Sequence, residues 1–357
     1  MWGQKIASAS LVNLTTNSAY VISYFSDNPG IASVDAGGNV TGIAGGTANI
    51  IAAYRSLGIS ATQAVKVVSV PVSLVHRYNF NETSGTNCAD SIGGAPWNGT
   101  LPNGGTFGGG RLALSATGSQ YVQLPPGILT NDTAVTIEAW LTYPNQIPNN
   151  AFFFGFGNTI SGGGYNYIFC APQAGRVAIS GGTYASEQNA YGNFDFSFHT
   201  NLHFTAVFNP PLGYVTFYTN GVLAGLNNSV TTPMSSVNDA LSYIGKSLYT
   251  ADPYADLGLD EFRVYNGALN TNQITATQVL GPNQLLNATN PIVGIALAGN
   301  SLTLSWPLAS AGFAIQARTN LILGAWSPTN LLPQMTNGQW QLIIPVTGNA
   351  QYFRMLQ

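Results

Sequence analysis

Leu74-Val-His-Arg-Tyr-Asn-Phe80, the polar turn around Gly85 and the segment that closes on Asp90 and the pair Gly93-Gly94 decide how this chain is read. The first seven residues have the β-branched and aromatic content of a strand, and the polar, glycine-containing stretch after them reads as a turn. A counterpart lies far downstream: Leu257-Gly-Leu-Asp-Glu-Phe-Arg-Val-Tyr-Asn-Gly-Ala-Leu269. Between the two stand Val135-Thr-Ile-Glu-Ala-Trp-Leu141 and His203-Phe-Thr-Ala-Val-Phe208, the latter followed by Gly213-Tyr-Val-Thr-Phe-Tyr-Thr-Asn-Gly-Val222. Each reads as a strand, and the last two read as a hairpin.

In this order the segments resemble the laminin-G-like branch of the concanavalin-A-like lectin/glucanase jelly roll. Leu74–Phe80 and Leu257–Leu269 are similar to its opening and closing strands, Val135–Leu141 to the first core strand of its second sheet, and His203–Val222 to its central hairpin. The resemblance covers roughly residues 72 to 281 and implies a β-sandwich. It implies little about activity, because this fold hosts lectins, enzymes and inert spacers. Many laminin-G-like domains hold Ca²⁺ between the turn after the first strand and the closing strand, which makes Asp90 and Asp260 the candidate ligands. The bland reading is that Asp90 forms an Asx turn and Asp260 caps a strand end.

On either side the chain is also rich in strands and turns. Residues 1 to about 70 alternate apolar and polar residues between glycine-rich turns, the pattern of a small sandwich. Ser26 to Ala48 resembles the bacterial Ig-like group 2 domain, found in adhesins and surface proteins; the first strand of that family has no counterpart ahead of Gly3-Gln4. Strands are predicted at Ser301–Trp306, Phe313–Arg318, Gln339–Pro345 and Gln351–Met355. They look like the small β-sandwich that ends many secreted bacterial proteins. One helix is expected, Thr271–Leu280, with Asn270 or Thr271 as N-cap and Gly281-Pro282 as its stop. The expectation is an all-β chain of three β-sandwich modules with one short helix: an Ig-like module over 1–71, the jelly roll over 72–283 and a C-terminal sandwich over 284–357.

Of the 357 residues, charged ones make up 6%, against a usual quarter. The 41 glycines and abundant Asn, Ser and Thr keep the chain polar, and its aromatic content argues against disorder. Lys5, Lys66 and Lys246 are the only lysines and form no cluster, which argues against nucleic acid. No apolar run reaches membrane-spanning length. No apolar signal segment follows Met1, so either a signal was removed or the chain is a fragment. Cys88 and Cys170 match no metal or redox spacing, and read as small buried apolar residues rather than a disulfide.

Glycoside hydrolysis, the enzyme reading the fold invites, needs two carboxylates flanking a cleft. Among Glu82, Glu138, Glu187 and Glu261, none has an acidic residue two positions away, so none forms a pair on one strand face. The expectation is therefore no enzyme activity. Of His76, His199 and His203, the last two could share a strand face, but two imidazoles without a third ligand make a poor metal site. Glycan binding would use aromatic faces in loops, and Trp97, Tyr165, Tyr167, Tyr184 and Tyr191 are placed for it. The remaining expectation is self-association. An Ig-like sandwich without its first strand exposes an unpaired edge, into which Met1-Trp2 or a C-terminal segment with Tyr352, Phe353 and Leu356 could dock from a neighbour. The low charge would let such copies approach. The leading reading is thus a non-catalytic, self-associating subunit, extracellular or on a bacterial cell surface, with a glycan-binding adhesion module as the alternative and a hydrolase as the weakest option.

Overall fold

The computed structural model describes residues 22–29, 31–42, 46–54, 59–67, 72–129, 132–286, 293–311, 313–319, 326–329, 331–346 and 351–356. Met1, Trp2 and the stretch Gln4–Leu14, whose pattern reads as a strand, lie outside them. The middle of the chain forms two eight-stranded sheets facing one another across a large apolar core. In the first, Val135–Thr142 pairs with Leu202–Asn209 on one side and Leu257–Asn266 on the other. Ser73–Tyr78 adds to the far side of Leu257–Asn266, matching Val264 with His76 and Phe262 with Tyr78. Opening and closing strands are therefore neighbours, and the hairpin Leu202–Asn209/Tyr214–Thr219 extends the same sheet. Period-two alternation sends Val135, Ile137, Ala139 and Leu141 into the core, together with Phe204, Ala206 and Phe208.

The second sheet runs in the order Glu187–Tyr191, Arg176–Ser180, Gly163–Ala171, Phe154–Ile160, Leu241–Ile244, Val122–Leu124, Gly99–Thr100, Asn87–Cys88. Phe154 and Phe156 enter the core, while Gly155 and Gly157 face outward. A Cβ on Gly157 would lie 2.3 Å from that of Tyr167 and 3.0 Å from Leu248. The Phe-Gly-Phe-Gly run thus clears a bed on which the 245–256 loop lies. At the sheet edges Gly192 and Gly225 bridge the two sheets. A Cβ on Gly225 would come within 2.2 Å of the Phe217 ring, so that approach requires glycine.

Two segments differ from their sequence reading. Phe194-Asp-Phe-Ser-Phe198 alternates aromatic and polar residues and reads as a strand, yet it turns, because Asp195 accepts hydrogen bonds from the backbone and hydroxyl of Ser197 at 2.9 and 2.6 Å. The 181–193 stretch, rich in Gly, Asn and Tyr, reads as a loop, yet it contains the edge strand Glu187–Tyr191. Its outward side chains are polar, so the alternation carried no hydrophobic signal. The helix Thr271–Leu280 forms as expected, with Asn270 and Gln273 closing a capping box. Its Ile274 packs on Val207, Tyr265 and Leu269 and roofs the outer face of the first sheet.

Toward the N-terminus, Ile22–Ser26, Gly46–Tyr54 and Ile59–Val67 form one sheet, and Ala32–Val34 pairs with Val40–Gly42. Their core is small, centred on Ala32, Ala48 and Ile50. Toward the C-terminus a four-stranded and a three-stranded sheet enclose Leu304, Trp306, Ile315, Trp340, Leu342 and Ile344, and Ala276 of the helix joins that core. Cys88 and Cys170 are both buried free thiols, as their apolar reading required. No helix among the described residues is long and apolar enough to cross a membrane.

Candidate functional site

The outer face of the second sheet carries a recess of about 210 Å³. Its base is built by the hairpin Gly163–Ala171/Arg176–Ser180 and the edge strand Glu187–Tyr191. Arg176 is the central cation. Its guanidinium lies 4.6 Å from the Phe169 ring centroid, pairs through Nη1 with Glu187 Oε2, and donates to Asn189 at 3.3 Å. The other Glu187 oxygen accepts from the Tyr167 hydroxyl at 2.6 Å, and that hydroxyl is 2.8 Å from the Tyr249 hydroxyl. Burial, the bond to Glu187 and the bond to Tyr249 push the Tyr167 phenol far up, so it stays a donor.

The opposite wall comes from the loop laid across the glycine bed. Thr159 donates to Leu248 O at 2.8 Å, and Thr250 N to Gly162 O at 3.0 Å. Within this loop the Ser247 hydroxyl accepts from Tyr249 N and donates to Asp252 Oδ2 at 2.6 Å, an ST turn that fixes the carboxylate. Burial raises the Asp252 pKa, against the opposing pull of Ser247 and Arg176. Its Oδ1 has no hydrogen-bond partner among the described residues, nor have Nε and Nη2 of Arg176. Asn150, Phe152 and Tyr184 complete the rim, and Tyr184 is 72% exposed. The recess therefore offers unpaired donors, an unpaired acceptor and aromatic faces within one small volume.

Of the five aromatics the sequence singled out, one lines the recess and two stand beside or beneath it. Tyr184 lines the recess, Tyr167 supports it from beneath, and Tyr191, 63% exposed, stands opposite Arg176 across the hairpin. Tyr165 is half-buried on the strand Gly163–Ala171 and is not part of the lining. Trp97 lies elsewhere, packed on His76 with ring centroids 4.9 Å apart. Arg176, Glu187, Tyr249 and Asp252 were missed as a group. In a chain with 10 basic and 13 acidic residues, every charge was itself a signal.

The calcium expectation can be tested against the same geometry. Asp90 Oδ1 accepts from the backbone of Arg77, Ile92 and Gly93 at 2.8–3.0 Å, and Oδ2 lies 2.6 Å from His76 Nδ1. Burial alone would raise its pKa, but His76 and these amides hold it below the ordinary value. Asp260 faces Arg111 at 3.4 Å. Ca²⁺ takes six to eight oxygens, and these carboxylates are already occupied by donors of the chain itself. No group of three His, Cys, Asp or Glu gathers among the described residues. The donor set does not fit the ion.

The expected docking segment is also engaged at home. Tyr352–Leu356 pairs with Ala314–Arg318 of its own chain, Tyr352 against Arg318 and Phe353 against Ala317. It is the edge strand of its three-stranded sheet, so one of its two sides is paired within its own chain. The two strand glutamates weighed for catalysis, Glu138 and Glu261, are buried. Glu138 meets His203 at 2.9 Å and Arg263 at 3.0 Å, while Glu261 meets Arg77 at 2.5 Å and Arg263 at 2.7 Å. A larger trough of about 490 Å³ near Arg111 and Asp256 is mostly apolar. Asp256 there is held by Ala116 N and Asn145, and Arg111 by Asn201.

Two packed β-sheets with adjacent opening and closing strands define the jelly-roll class. Residues 116–275 match the family model of the concanavalin A-like lectin/glucanases superfamily. No curated protein matches the chain. Among solved structures it is similar to domain 4 of AbnA, a GH43 extracellular arabinanase from Geobacillus stearothermophilus, in complex with arabinotriose. Identity there is 20%, covering 57% of this chain and 97% of that one, at TM-score 0.43. The binding domain of botulinum neurotoxin DC, in complex with rat synaptotagmin II, is 12% identical over 75% and 73% of the two chains, at TM-score 0.45. A mutant of Trypanosoma rangeli sialidase is 15% identical over 57% and 32%, at TM-score 0.44.

Proposed function

We propose that the jelly-roll unit is a non-catalytic glycan-binding module and that the recess at Arg176, Glu187 and Asp252 holds one sugar ring. The observation that carries this is the exposed Tyr184 ring beside unpaired donors on Arg176 and an unpaired acceptor on Asp252. A sugar presents an apolar C–H face and vicinal hydroxyls that both donate and accept, which this combination complements. The volume of about 210 Å³ falls below that of drug-sized pockets and suits a single ring. Two carboxylates in one recess would also suit hydrolysis. Glu187, however, is tied to Arg176 and Tyr167, which leaves Asp252 without a second reactive partner. Binding without turnover follows, at the cell surface or outside the cell, where glycans are displayed.

A glycan array probed with the whole chain, followed by titration calorimetry on any hit, tests the reading. Tyr184→Ala should weaken the hit at least about tenfold with an unchanged melting curve, since that ring is a surface group. Equal binding by the variant would show that the sugar sits elsewhere.

One observation favours self-association as a second reading. Gly294–Ala298 is the edge strand of the C-terminal four-stranded sheet, and Ile295 and Leu297 on it are each 69% exposed. Long apolar edges template pairing between chains. Sedimentation of the wild type beside Ile295→Lys/Leu297→Lys decides it. Assembly that the lysines abolish supports the reading, and a wild-type monomer at high concentration rejects it.

A further inference from the structure

Resting on that reading of the recess, we propose that its ligand is a sugar bearing a free primary amine, a hexosamine end rather than its N-acetylated or acidic counterpart. The lining contains one cation and two carboxylates. Arg176 is engaged by Glu187 and lies over Phe169, so its charge is compensated within the protein. Asp252 has only the neutral Ser247 hydroxyl as a hydrogen-bond partner, and Arg176, which acts on it through space, is already paired with Glu187, so the recess holds one carboxylate more than its cations. A ligand ammonium would supply the missing cation. A ligand carboxylate could reach the open Nε and Nη2 of Arg176, but it would be repelled by Asp252 and Glu187, which outnumber that single cation in the lining.

The aromatic lining points the same way. Phe152, Tyr184 and Tyr249 border the recess, and the negative face of an aromatic ring attracts an ammonium within about 6 Å. The same sheet face already does this with a group of its own. The Lys246 ammonium lies 4.3 Å from the Tyr121 ring centroid and 4.6 Å from that of Tyr243. Donors on Arg176 and Asn150 remain for ring hydroxyls, which favours an amino sugar over the amine of a peptide lysine.

The test is calorimetric titration of the whole chain with four probes at a pH where the amines are protonated: a glucosamine oligomer, its N-acetylated form, an oligogalacturonate and a short lysine oligomer. The glucosamine oligomer should bind about tenfold or more tightly than the acetylated one, and the acidic oligomer weakest, as expected for one added charge pair with aromatic contacts. Asp252→Asn should bring the first two to near equality while circular dichroism shows an unchanged fold. Equal wild-type affinity for the acetylated and free amine forms overturns the amine inference and leaves the sugar site standing. Failure of every oligomer to bind removes the sugar site itself. Glucosamine binding that survives both Asp252→Asn and Tyr184→Ala, or that short lysine oligomers match, overturns the inference as well.

Discussion

Arg263 on the outer face of the first jelly-roll sheet and Arg176 on the outer face of the second meet opposite fates. Arg263 is fully buried. It binds Glu138 and Glu261, lies 4.7 Å from the Trp140 ring centroid, and donates to the carbonyls of Pro282 and Gln284 at 2.5 and 3.0 Å. Arg77 reaches Pro282 O as well, at 3.4 Å. The helix and the segment after it thus close over a set of charges that satisfy one another, and Leu286 of that segment also packs against the C-terminal core. Arg176 has one carboxylate partner, no roof, and donors left over. Carboxylates and guanidinium alike become structural where a roof completes their partners. Where the roof is missing, they become available to a ligand.

The largest expected effect breaks the closed face. Arg263→Met should destabilise the protein by about 3–5 kcal/mol, because it leaves Glu138 and Glu261 buried beside missing partners. Arg176→Met should cost less, about 1–3 kcal/mol, since Arg176 is partly open to water and Glu187 keeps the bond from Tyr167, yet it should remove glycan binding. Denaturant midpoints of the two variants check the contrast. Equal losses would mean that the recess is as structural as the closed network.

Acid should separate the faces next. Burial alone would raise the Glu138 pKa, but the His203 bond and the Arg263 charge outweigh it and hold the carboxyl down to about 2, from an ordinary 4.5. The unfolded chain therefore binds the proton first. Stability from this group is full above about pH 4.5 and is lost as pH falls through about 2, on the order of 3 kcal/mol in all. Melting curves between these limits should fall steeply in the wild type. They should fall less in Glu138→Gln, which starts from a lower stability. Parallel curves would show that Glu138 is not the titrating group.

The parts of this arrangement that the sequence displayed are those with a local cause. Val135–Leu141 alternates visibly, and Asn270 with Gln273 announces the start of the helix. The Glu138–Arg263 pair joins residues 125 positions apart, so only strand register brings them together. The recess was legible in part. Tyr184 and Tyr191 stood out as aromatics among Gly and Asn, but Glu187 was weighed only for an acidic neighbour two residues away. Its partner Arg176 lies across a hairpin whose second strand is polar and showed no hydrophobic alternation. Phe194–Phe198 misled for the opposite reason: its alternation was real, and the side chain of Asp195 overrode it.

The smallest expected effect has the most to say about function. Burial raises the Asp252 pKa above its ordinary 3.8, so in this case the folded state holds the proton more tightly than the unfolded chain. Such a carboxylate weakens the fold once it ionises, and its cost disappears as pH falls back toward 3.8. Asp252→Asn should therefore raise the melting temperature slightly at neutral pH, and the gain should fade on acidification. Residues kept for binding at the expense of stability behave in this way. The same substitution is expected to weaken glycan binding, so stability and affinity should move in opposite directions. A variant that loses stability at neutral pH would show that the Ser247–Asp252 turn holds the loop in place, and would assign Asp252 to the fold rather than to the ligand.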